Sequence, residues 1–277
     1  MPRRQVVLVT GCSSGIGRAA ALEAAARGHR VCATARDIGS LSDLEGRPGI
    51  RTLPLDVTDA ASIAAAVSAA LSGEGRIDAL VNNAGFGRYG AVEEVTVADW
   101  REQFEVNVFG AVAMISAVLP AMREARSGTI VNVSSVAGRI PIPFASPYCA
   151  SKHALEAVSD ALRVEAGAFG VRVVVVEPGP IESRFSDRAR QGVSALLGRP
   201  GPYSDVYRNA ESAMRKEFQA GVLPPEAVAR VIVNAIESPR PKSRYAVGRM
   251  PRVLFALKRV LTDRAFDRAM RRALKMR

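Results

Sequence analysis

Residues 5–17 read QVVLVTGCSSGIG, and an alanine-rich segment at 18–27 follows them directly. The β-branched run that opens this stretch predicts a short buried strand, and the alanine-rich segment predicts a helix. Three glycines lie between the two in the spacing G-x-x-x-G-x-G: Gly11, Gly15 and Gly17. Glycines at a strand-to-helix turn let the backbone approach a pyrophosphate, and the helix N-terminus offers free N–H groups. The stretch therefore predicts a phosphate-binding loop at the start of an α/β fold.

The rest of the chain continues to alternate strand-like and helix-like segments. Strands are predicted at 30–35, 51–55, 77–81, 129–133, 171–176 and 244–247, and helices at 60–71, 97–126 and 226–238. Such alternation implies βαβ units with parallel strands and right-handed crossovers. The segment from 184 to 223 instead holds glycines, prolines and scattered aromatics. We predict that it forms a lid or substrate loop.

Composition restricts the class of protein. The chain has 277 residues, 48% of them hydrophobic, which is ample for a sizeable core. Its cysteines are far apart, and its two histidines lack ligand spacing, which argues against a disulfide framework and against a metal site: Cys12, Cys32, Cys149, His29 and His153. No signal peptide is visible, and no apolar run approaches the roughly 18 residues of a spanning helix. We expect a soluble, cytoplasmic protein.

Arg36 and Asp37 follow the second predicted strand, about twenty residues past the glycine loop, where a dinucleotide fold senses the 2′ position of the adenosine ribose. A carboxylate there accepts hydrogen bonds from a free 2′-hydroxyl, whereas a guanidinium pairs with a 2′-phosphate. Ala35 takes the strand-end place where an NAD enzyme usually has its acid. Ser13 and Ser14 add hydroxyl donors. The pattern favours NADP(H) over NAD(H), with Arg36 as an ordinary solvated residue as the alternative.

Tyr148 and Lys152 lie four residues apart at the start of an apolar-periodic segment. In a helix this spacing places both side chains on one face. A nearby ammonium favours the phenolate and lowers the tyrosine pKa from its usual value of about 10. Such a group can exchange a proton with an alcohol or a carbonyl at neutral pH. Asn107, deep inside a predicted helix that it suits poorly, is either a satisfied core residue or a site residue.

The motifs together resemble the short-chain dehydrogenase/reductase family of NAD(P)-dependent oxidoreductases, over roughly residues 5–248. The matching positions, in the order of the family, are Thr10-Gly11, Gly15-Ile16-Gly17, Asp56, Asn82-Asn83-Ala84-Gly85, Asn107, Ser135, Tyr148, Lys152 and Pro178-Gly179. The resemblance implies a single Rossmann-type domain at 1–250. Its sheet would have seven parallel strands in the order 3-2-1-4-5-6-7, flanked by helices.

The resemblance also implies the catalytic roles. Tyr148 would be the general acid/base, and Lys152 would lower the pKa of Tyr148 and hydrogen-bond the nicotinamide ribose. Ser135 would donate to the substrate carbonyl and stabilise the developing alkoxide. Asn107 would hold a water that links Lys152 to solvent as a proton relay.

The family's cofactor contacts fall on a larger set of positions. Gly11, Gly15 and Gly17 would shape the pyrophosphate turn, Asp56 and Val57 would contact the adenine, and Asn83 would lie by the adenosine ribose. Pro178-Gly179 with Ile181 and Ser183 would hold the carboxamide. Further cofactor-binding positions are Ile16, Ala84 and Gly85.

Within the family, the motifs look like the branch that includes 17β-hydroxysteroid and retinol dehydrogenases, which act on bulky apolar alcohols and ketones. Apolar residues near the expected mouth fit such a pocket, although core packing would explain several of them equally well: Phe86, Ile140, Ile142, Phe144 and Phe185. The family also suggests homodimers or homotetramers. The rival interpretations are an NAD(H)-dependent alcohol dehydrogenase and a non-catalytic dinucleotide-binding or membrane-associated protein.

Residues 252–277 lie beyond the resemblance and carry nine Lys/Arg against two Asp, a charge of +7 out of +11. Apolar residues recur there at helical spacing. The pattern predicts a basic amphipathic extension at 251–277, broken in two near 261–263, with Thr262 capping the second helix. Such an extension either folds over the protein's own surface or contacts an anionic membrane peripherally. No aromatic-interleaved basic platform indicates a nucleic-acid partner.

Overall fold

The computed structural model describes residues 4–183, 197, 201–209 and 222–274. Seven strands form one parallel sheet in the order 3-2-1-4-5-6-7, which confirms the predicted fold class. They are β1 (Val6–Val9), β2 (Arg30–Ala35), β3 (Ile50–Pro54), β4 (Ala79–Asn82), β5 (Gly128–Val133), β6 (Val171–Pro178) and β7 (Arg244–Val247). β6 runs two residues further than predicted because Pro178 still pairs with Val247 of β7.

The helices flank this sheet in the order that the sequence predicts. They are α1 (Gly15–Ala26), α2 (Ala60–Glu74), α3 (Val97–Phe104), α4 (Gly110–Glu124), α5 (Ser146–Gly167), α6 (Pro225–Glu237), α7 (Arg249–Val260) and α8 (Asp263–Ala273). A π-helical turn at Glu105–Phe109 joins α3 to α4 without a break, and a short 3₁₀ turn at Val136–Gly138 follows β5.

Two hydrophobic cores cover the two faces of the sheet, and alternate residues of β1 contribute to each. Val7 and Val9 point into the core under α1 and α6, while Leu8 points into the core under α2, α4 and α5. This alternation is the period-2 geometry of a strand covered on both sides. The alanines of α1 let α1 and α6 approach closely on the first face.

The continuous helical run Val97–Glu124 corrects one expectation from the sequence. Its most apolar 18-residue window has a mean hydropathy of 1.7, so by length and composition alone it would suit a membrane span. In the structure, Met114, Val118 and Met122 of this run are fully buried in the second core. The run packs against the sheet through these residues, whereas Val97 and Phe109 of the same run are exposed.

The C-terminal extension folds back onto the body of the protein. α7 and α8 are separated at Leu261 and Thr262, and Thr262 caps α8 by accepting a hydrogen bond from the backbone N–H of Ala265 at 3.4 Å. Phe266 of α8 is buried in a cluster that includes the following residues: Val136, Ile140, Leu254, Phe255, Leu261 and Met270. We call this set the tail cluster. It connects the extension to the segment that directly follows Ser135.

A buried hydrogen-bond chain connects β4, β5 and α5. The Asn82 Nδ2 donates to Asn132 Oδ1 at 2.9 Å, the Asn132 Nδ2 donates to Ser159 Oγ at 2.8 Å, and the Ser159 hydroxyl donates to the Leu155 carbonyl at 2.6 Å. Asn132 and Ser159 are completely buried. Because buried polar groups are costly unless they are paired, this chain holds the three elements in one relative position.

We expect Asn132→Ala to lower the free energy of unfolding by about 2–4 kcal/mol, since it removes two buried hydrogen bonds, one with the Asn82 amide and one with the Ser159 hydroxyl. Chemical denaturation followed by circular dichroism measures this. The matched control is Thr129→Val on the same strand. The Thr129 Oγ1 is buried and has no hydrogen-bond partner among the described residues, so this substitution should be neutral or stabilising. A similar loss in both variants would contradict the interpretation.

Candidate active site

The carboxyl ends of the parallel strands meet at one edge of the sheet, and the predicted site residues follow them there. The glycine loop follows β1, Arg36 follows β2, Asn83 follows β4, Ser135 follows β5, and Gly179 follows β6. In open α/β sheets this edge is where ligands bind, at the point where the strand order reverses. Here the order reverses between β1 and β4.

The glycine loop has the shape that the sequence predicts. Gly11 and Gly15 have φ values of +73° and +58°, a left-handed conformation that side chains other than glycine rarely adopt. At Gly17 a Cβ atom would lie 2.3 Å from the Asn83 Nδ2 and 2.4 Å from the Gly11 carbonyl oxygen. The N-cap residue Ser14 is extended and has no side-chain capping bond. The loop therefore passes close to β4 and leads into the N-terminus of α1, where backbone N–H groups are available to an anion.

Thr10 fixes this loop to the end of β4, a role that the sequence analysis did not assign. Its hydroxyl accepts hydrogen bonds from the backbone N–H groups of Asn83 and Ala84, each at 3.0 Å. The Asn83 side chain donates back to the carbonyls of Thr10 and Gly11, at 2.9 and 3.1 Å. Asn83 therefore holds the loop through its amide nitrogen, and its direct contact with the adenosine ribose stays a prediction.

The residues at the predicted 2′ position differ in what they already bind. The Asp37 carboxylate accepts a hydrogen bond from the backbone N–H of Gly39 at 3.0 Å and caps a short 3₁₀ turn. Arg36 is exposed, and its guanidinium has no hydrogen bond within the described part of the chain. Thr58 and, more weakly, Arg36 hold the pKa of the Asp56 carboxyl below its usual range. Arg36 therefore faces the adenosine side of the edge and has a positive charge free for a ligand.

The other adenine-side residues are placed as follows. Val57 is buried and packs against Gly110, where a Cβ atom would lie 2.8 Å from the Val57 Cγ2. Ile16 packs against the first core, and Ser13 lies partly exposed in the loop.

Tyr148, Lys152 and Ser135 lie together where β5 meets α5. The helix begins at Ser146, with Pro147 in its first turn, so Tyr148 lies near the N-terminus. The side chains of Tyr148 and Ser135 are hydrogen-bonded. The Lys152 Nζ lies 5.9 Å from the centroid of the Tyr148 ring and donates to the Val133 carbonyl at 2.7 Å. A phenol, a hydroxyl and an ammonium thus share one small volume.

The pKa values in this volume correct one expectation. Burial raises the pKa of Tyr148 to about 12, and the hydrogen bond with Ser135 opposes this only in part. Burial also lowers the pKa of Lys152 to about 8, against the opposing charge of Glu156. The predicted lowering of the Tyr148 pKa by Lys152 is not found in this geometry, because the ammonium is directed at a backbone carbonyl. Tyr148 is a protonated phenol at neutral pH, which is the form that donates a proton.

Asn107 lies in the π-helical turn, buried behind Tyr148. Its Oδ1 accepts from the backbone N–H of Phe86 at 3.1 Å, and its Nδ2 donates to the Phe86 carbonyl at 3.0 Å and to Ser151 Oγ at 3.1 Å. The Ser151 hydroxyl in turn donates to the Tyr148 carbonyl at 2.7 Å. At Gly85 a Cβ atom would lie 3.0 Å from the Asn107 Oδ1. Asn107 therefore ties the loop after β4 to the first turn of α5, and the water relay stays a prediction.

The segment after β6 borders the glycine loop on one side and the C-terminal extension on the other. A Cβ atom at Gly15 would lie 3.1 Å from the Ser183 Cβ, and one at Gly179 would lie 3.0 Å from the Pro251 Cδ. The Gly179 backbone N–H donates to the Val247 carbonyl at 3.1 Å. Ile181 is buried and forms a bridge with Leu223. This segment is fixed by contacts on both sides.

Aromatic side chains lie near Tyr148 and are connected to it through Tyr89. The Phe144 and Tyr207 rings are edge-to-face with centroids 4.9 Å apart, and Tyr203 and Tyr89 belong to the same cluster. The Tyr207 hydroxyl hydrogen-bonds Glu94 and accepts from the backbone N–H of Ala91. We call these four rings the aromatic cluster. The sequence analysis selected only Phe144 of them as a site residue.

The predicted pocket residues divide between several places. Ile142 packs with Tyr148 and Tyr89, as a pocket residue would. Ile140 instead packs in the tail cluster, because the segment after Ser135 turns its side chain toward α8. Phe86 has the Arg88 guanidinium over its ring at 5.5 Å. Phe185 and most of the predicted substrate loop at 184–223 lie outside the described residues.

Two buried carboxylates behind Lys152 were not identified from the sequence. Glu156 accepts hydrogen bonds from Arg244 at 3.0 and 3.1 Å, and Glu177 lies within 3.4–3.5 Å of Arg244 and Arg139. Burial, with the neighbouring Glu156, raises the pKa of Glu177 to about 7. Within the described ranges there is no cluster of three or more His, Cys, Asp or Glu residues that could hold a metal.

Glu177 should make stability fall as the pH rises from about 4.5 to 7. Its folded-state pKa of about 7 lies above the ordinary value, so over this window the folded protein retains a proton that the unfolded chain releases. We expect Glu177→Gln to flatten the dependence and to gain stability over wild type, on the order of 1 kcal/mol by pH 8.

Melting temperatures measured across this pH range check the prediction. Glu45→Gln, at an exposed position without a side-chain partner among the described residues, is the control and should keep the wild-type slope. An unchanged slope in Glu177→Gln would show that Glu177 is ionised in the folded protein throughout the window.

Comparison with known proteins gives close relatives along the whole chain. A 3-ketodihydrosphingosine reductase of Bacteroides thetaiotaomicron is 37% identical over 252 residues, 91% of each chain. An NADPH-dependent 3-dehydrocapnine reductase of Ornithobacterium rhinotracheale is 34% identical over 276 residues, 97% of this chain and 96% of that one. Human 17-beta-hydroxysteroid dehydrogenase type 1 is 37% identical over 254 residues, 87% of this chain and 77% of the relative.

Solved structures agree with this. A short-chain dehydrogenase from Streptomyces avermitilis superposes with a TM-score of 0.77 at 34% identity, covering 94% of this chain and 96% of that one. Two Burkholderia relatives were solved with different cofactors. The B. phymatum protein with NAD has a TM-score of 0.78 at 27% identity and covers 92% of each chain. The B. cenocepacia protein with NADP has a TM-score of 0.75 at 26% identity and covers 98% of each.

The model of the short chain dehydrogenase family matches residues 5–194. That range contains the glycine loop, Asn107, Ser135, Tyr148 and Lys152. With these relatives it shows that the chain belongs to the short-chain dehydrogenase/reductase family and is an oxidoreductase of CH–OH and C=O groups.

Proposed function

We propose that this protein is an NADP(H)-dependent oxidoreductase that interconverts a ketone or aldehyde and an alcohol on a hydrophobic substrate. The observation that carries the proposal is the hydrogen-bonded pair of Tyr148 and Ser135. The pair lies at the same sheet edge as the glycine loop, so an acid and a hydrogen-bond donor lie beside a nucleotide cradle.

In this proposal Tyr148 supplies a proton to the substrate oxygen. With a pKa raised to about 12, it is protonated at neutral pH and suited to carbonyl reduction. Ser135 donates a hydrogen bond to the same oxygen and stabilises the charge that develops on it. The Lys152 ammonium is buried behind the ring. From there it can supply a proton to Tyr148 after the phenol has donated its own.

A bound nicotinamide dinucleotide supplies the hydride in this chemistry. Gly11, Gly15 and Gly17 leave space for its pyrophosphate, because a side chain at any of them would be strained or would contact neighbouring atoms. The segment Pro178–Gly179 with Ile181 and Ser183 would hold the carboxamide, and Asp56 and Val57 would border the adenine. The cradle residues thus fit the group that the family uses.

Arg36 supports NADP(H) over NAD(H). It is exposed beside the glycine loop, whereas the neighbouring Asp37 carboxylate is already bound to Gly39. A guanidinium binds a phosphate group through charge-assisted hydrogen bonds. The relative from Ornithobacterium is named as NADPH-dependent, which supports the same choice. An NAD(H)-dependent alcohol dehydrogenase is the alternative, since a similar structure was solved with NAD.

The aromatic cluster supports a hydrophobic substrate. The Phe144, Tyr203 and Tyr207 rings lie next to Tyr89, which packs with Ile142 and Tyr148. Relatives are named for a sphingoid ketone and for hydroxysteroids. A long-chain or polycyclic carbonyl compound therefore suits this surface better than a small polar one.

The family's oligomers support a homodimer or homotetramer here. The π-helical turn before α4 carries Phe109 and α5 carries Val164, and these side chains are 54% and 78% exposed. Exposed apolar side chains on two long neighbouring helices are typical of a chain–chain interface. A non-catalytic dinucleotide sensor is less favoured, because such a protein has no need of Tyr148, Ser135 and Lys152 in contact.

Tyr148→Phe should lower the turnover number about 10²–10⁴-fold, because it removes the proton donor and leaves the ring in place. The measurement follows NADPH absorbance with a panel of long-chain 3-ketones, steroid ketones and retinal. NADPH binding, measured by fluorescence, should be unchanged. Full activity in Tyr148→Phe would exclude this residue as the acid, and no turnover of any carbonyl by wild type would favour the sensor.

Arg36→Ala should weaken NADPH binding by about 1.5–3 kcal/mol, the contribution of a hydrogen bond to a charged group, and leave NADH binding unchanged. Asp37→Asn is the matched control, because Asn retains the oxygen that caps the 3₁₀ turn. It should bind both nucleotides like wild type. Weaker NADH binding in Asp37→Asn, with no effect of Arg36→Ala, would assign the 2′ position to Asp37 and favour NAD(H).

A further inference from the structure

Helix α7 carries a second apolar face that no other described residue covers. Val253, Leu257 and Val260 recur at the spacing of one helical face, and they are 49%, 44% and 82% exposed. The opposite face, with Leu254 and Phe255, already packs in the tail cluster. A terminal helix needs one apolar face to pack on its own protein. The exposed face, which we call the α7 stripe, has no partner among the described residues.

Positive charge borders the α7 stripe. At 100° per residue, Arg249, Arg252 and Arg259 all fall on one side of it, and all three are exposed. α8 is amphipathic as well. Phe266 is buried on its inner face, and its outer face holds exposed arginines at three positions: Arg264, Arg268 and Arg271. These three have no ion pair or hydrogen bond within the described ranges. Together the helices present apolar side chains beside a dense, unneutralised positive surface.

We infer that α7 and α8 form a docking surface for an anionic phospholipid membrane. Apolar side chains at the stripe enter the boundary between headgroups and acyl chains, while the arginines contact lipid phosphates. Residues 252–277 carry a charge of +7, against +4 for the other 251 residues. An anionic membrane would therefore attract this part of the chain most strongly. A soluble protein partner would explain the exposed apolar side chains but would not explain why so much positive charge lies beside them.

The docking surface lies next to the candidate active site. Pro251 at the start of α7 packs on Gly179 after β6, and Phe266 of α8 packs on Val136, the residue after Ser135. The docking helices therefore rest on the two segments that border the candidate active site. A membrane held there supplies a hydrophobic substrate from the bilayer. The docking rests on the surface of α7 and α8 alone, so it stands or falls independently of the proposed reaction.

Vesicle co-sedimentation of the full chain tests the inference. Sucrose-loaded vesicles of phosphatidylcholine alone are compared with vesicles that contain phosphatidylglycerol as well. We expect wild type to partition onto the anionic vesicles at least about tenfold more strongly, and to be released by added salt. Equal partition onto both compositions, or no partition onto either, would overturn the inference.

Two sets of substitutions separate the apolar and the charged contributions. Val253→Ser/Leu257→Ser/Val260→Ser should reduce partition about tenfold or more, because three apolar side chains no longer enter the bilayer. Arg264→Gln/Arg268→Gln/Arg271→Gln should remove most of the preference for anionic vesicles. The control Val92→Ser/Val97→Ser replaces two valines outside α7 and α8, each of which is 64% exposed. This variant should bind like wild type.

Size-exclusion chromatography with light scattering distinguishes a second copy of the chain as the occupant. If the three serine substitutions reduce the oligomeric mass and leave vesicle binding unchanged, the stripe is a chain–chain interface and the inference is wrong. Circular dichroism and NADPH binding show whether each variant is folded. If the serine variant is unfolded, Leu257→Asn alone is used, at a position 44% exposed, and it must reduce partition for the inference to stand.

Discussion

The contact between the glycine loop and the end of β4 is the constraint on which the site depends. The Thr10 hydroxyl binds two backbone N–H groups after β4, and the Asn83 amide binds two carbonyls of the loop. With Gly17 against the same amide, the first strand and the fourth are held together where the strand order reverses. These bonds shape the crevice at this edge of the sheet, where the proposed dinucleotide would bind.

The second half of the site is positioned through buried polar groups behind it. Asn132 and Ser159 fix α5 against β5, while Asn107 fixes the first turn of α5 against the loop after β4. Tyr148 itself therefore has little conformational freedom, although it is only partly buried. In the proposed reaction, such preorganisation would let the hydroxyls of Tyr148 and Ser135 stabilise charge as it develops.

The sequence predicted the features that depend on neighbouring residues. The glycine loop and the break at Thr262 follow from local spacing, whereas the strand order was implied by the family resemblance, and the structure has each of them. Other features come from pairs far apart in the chain, such as Arg244 with Glu156 and Tyr207 with Glu94, which no local pattern reveals. The expected lowering of the Tyr148 pKa by Lys152 is absent, because burial, which spacing does not show, raises this pKa and the ammonium is directed at a backbone carbonyl. The roles of the site residues remain predictions.

The attachment of the extension has a consequence for how the protein is made. Phe266, one of the last residues described, covers Val136 and Ile140 directly after Ser135. A ribosome synthesises the domain from the other end, so every element that carries the glycine loop, Ser135 and Tyr148 emerges before its cover does. This apolar surface therefore stays open to water during synthesis until α8 has been made. A chain that stopped before α8 would lack the cover that Phe266 gives to the segment after Ser135.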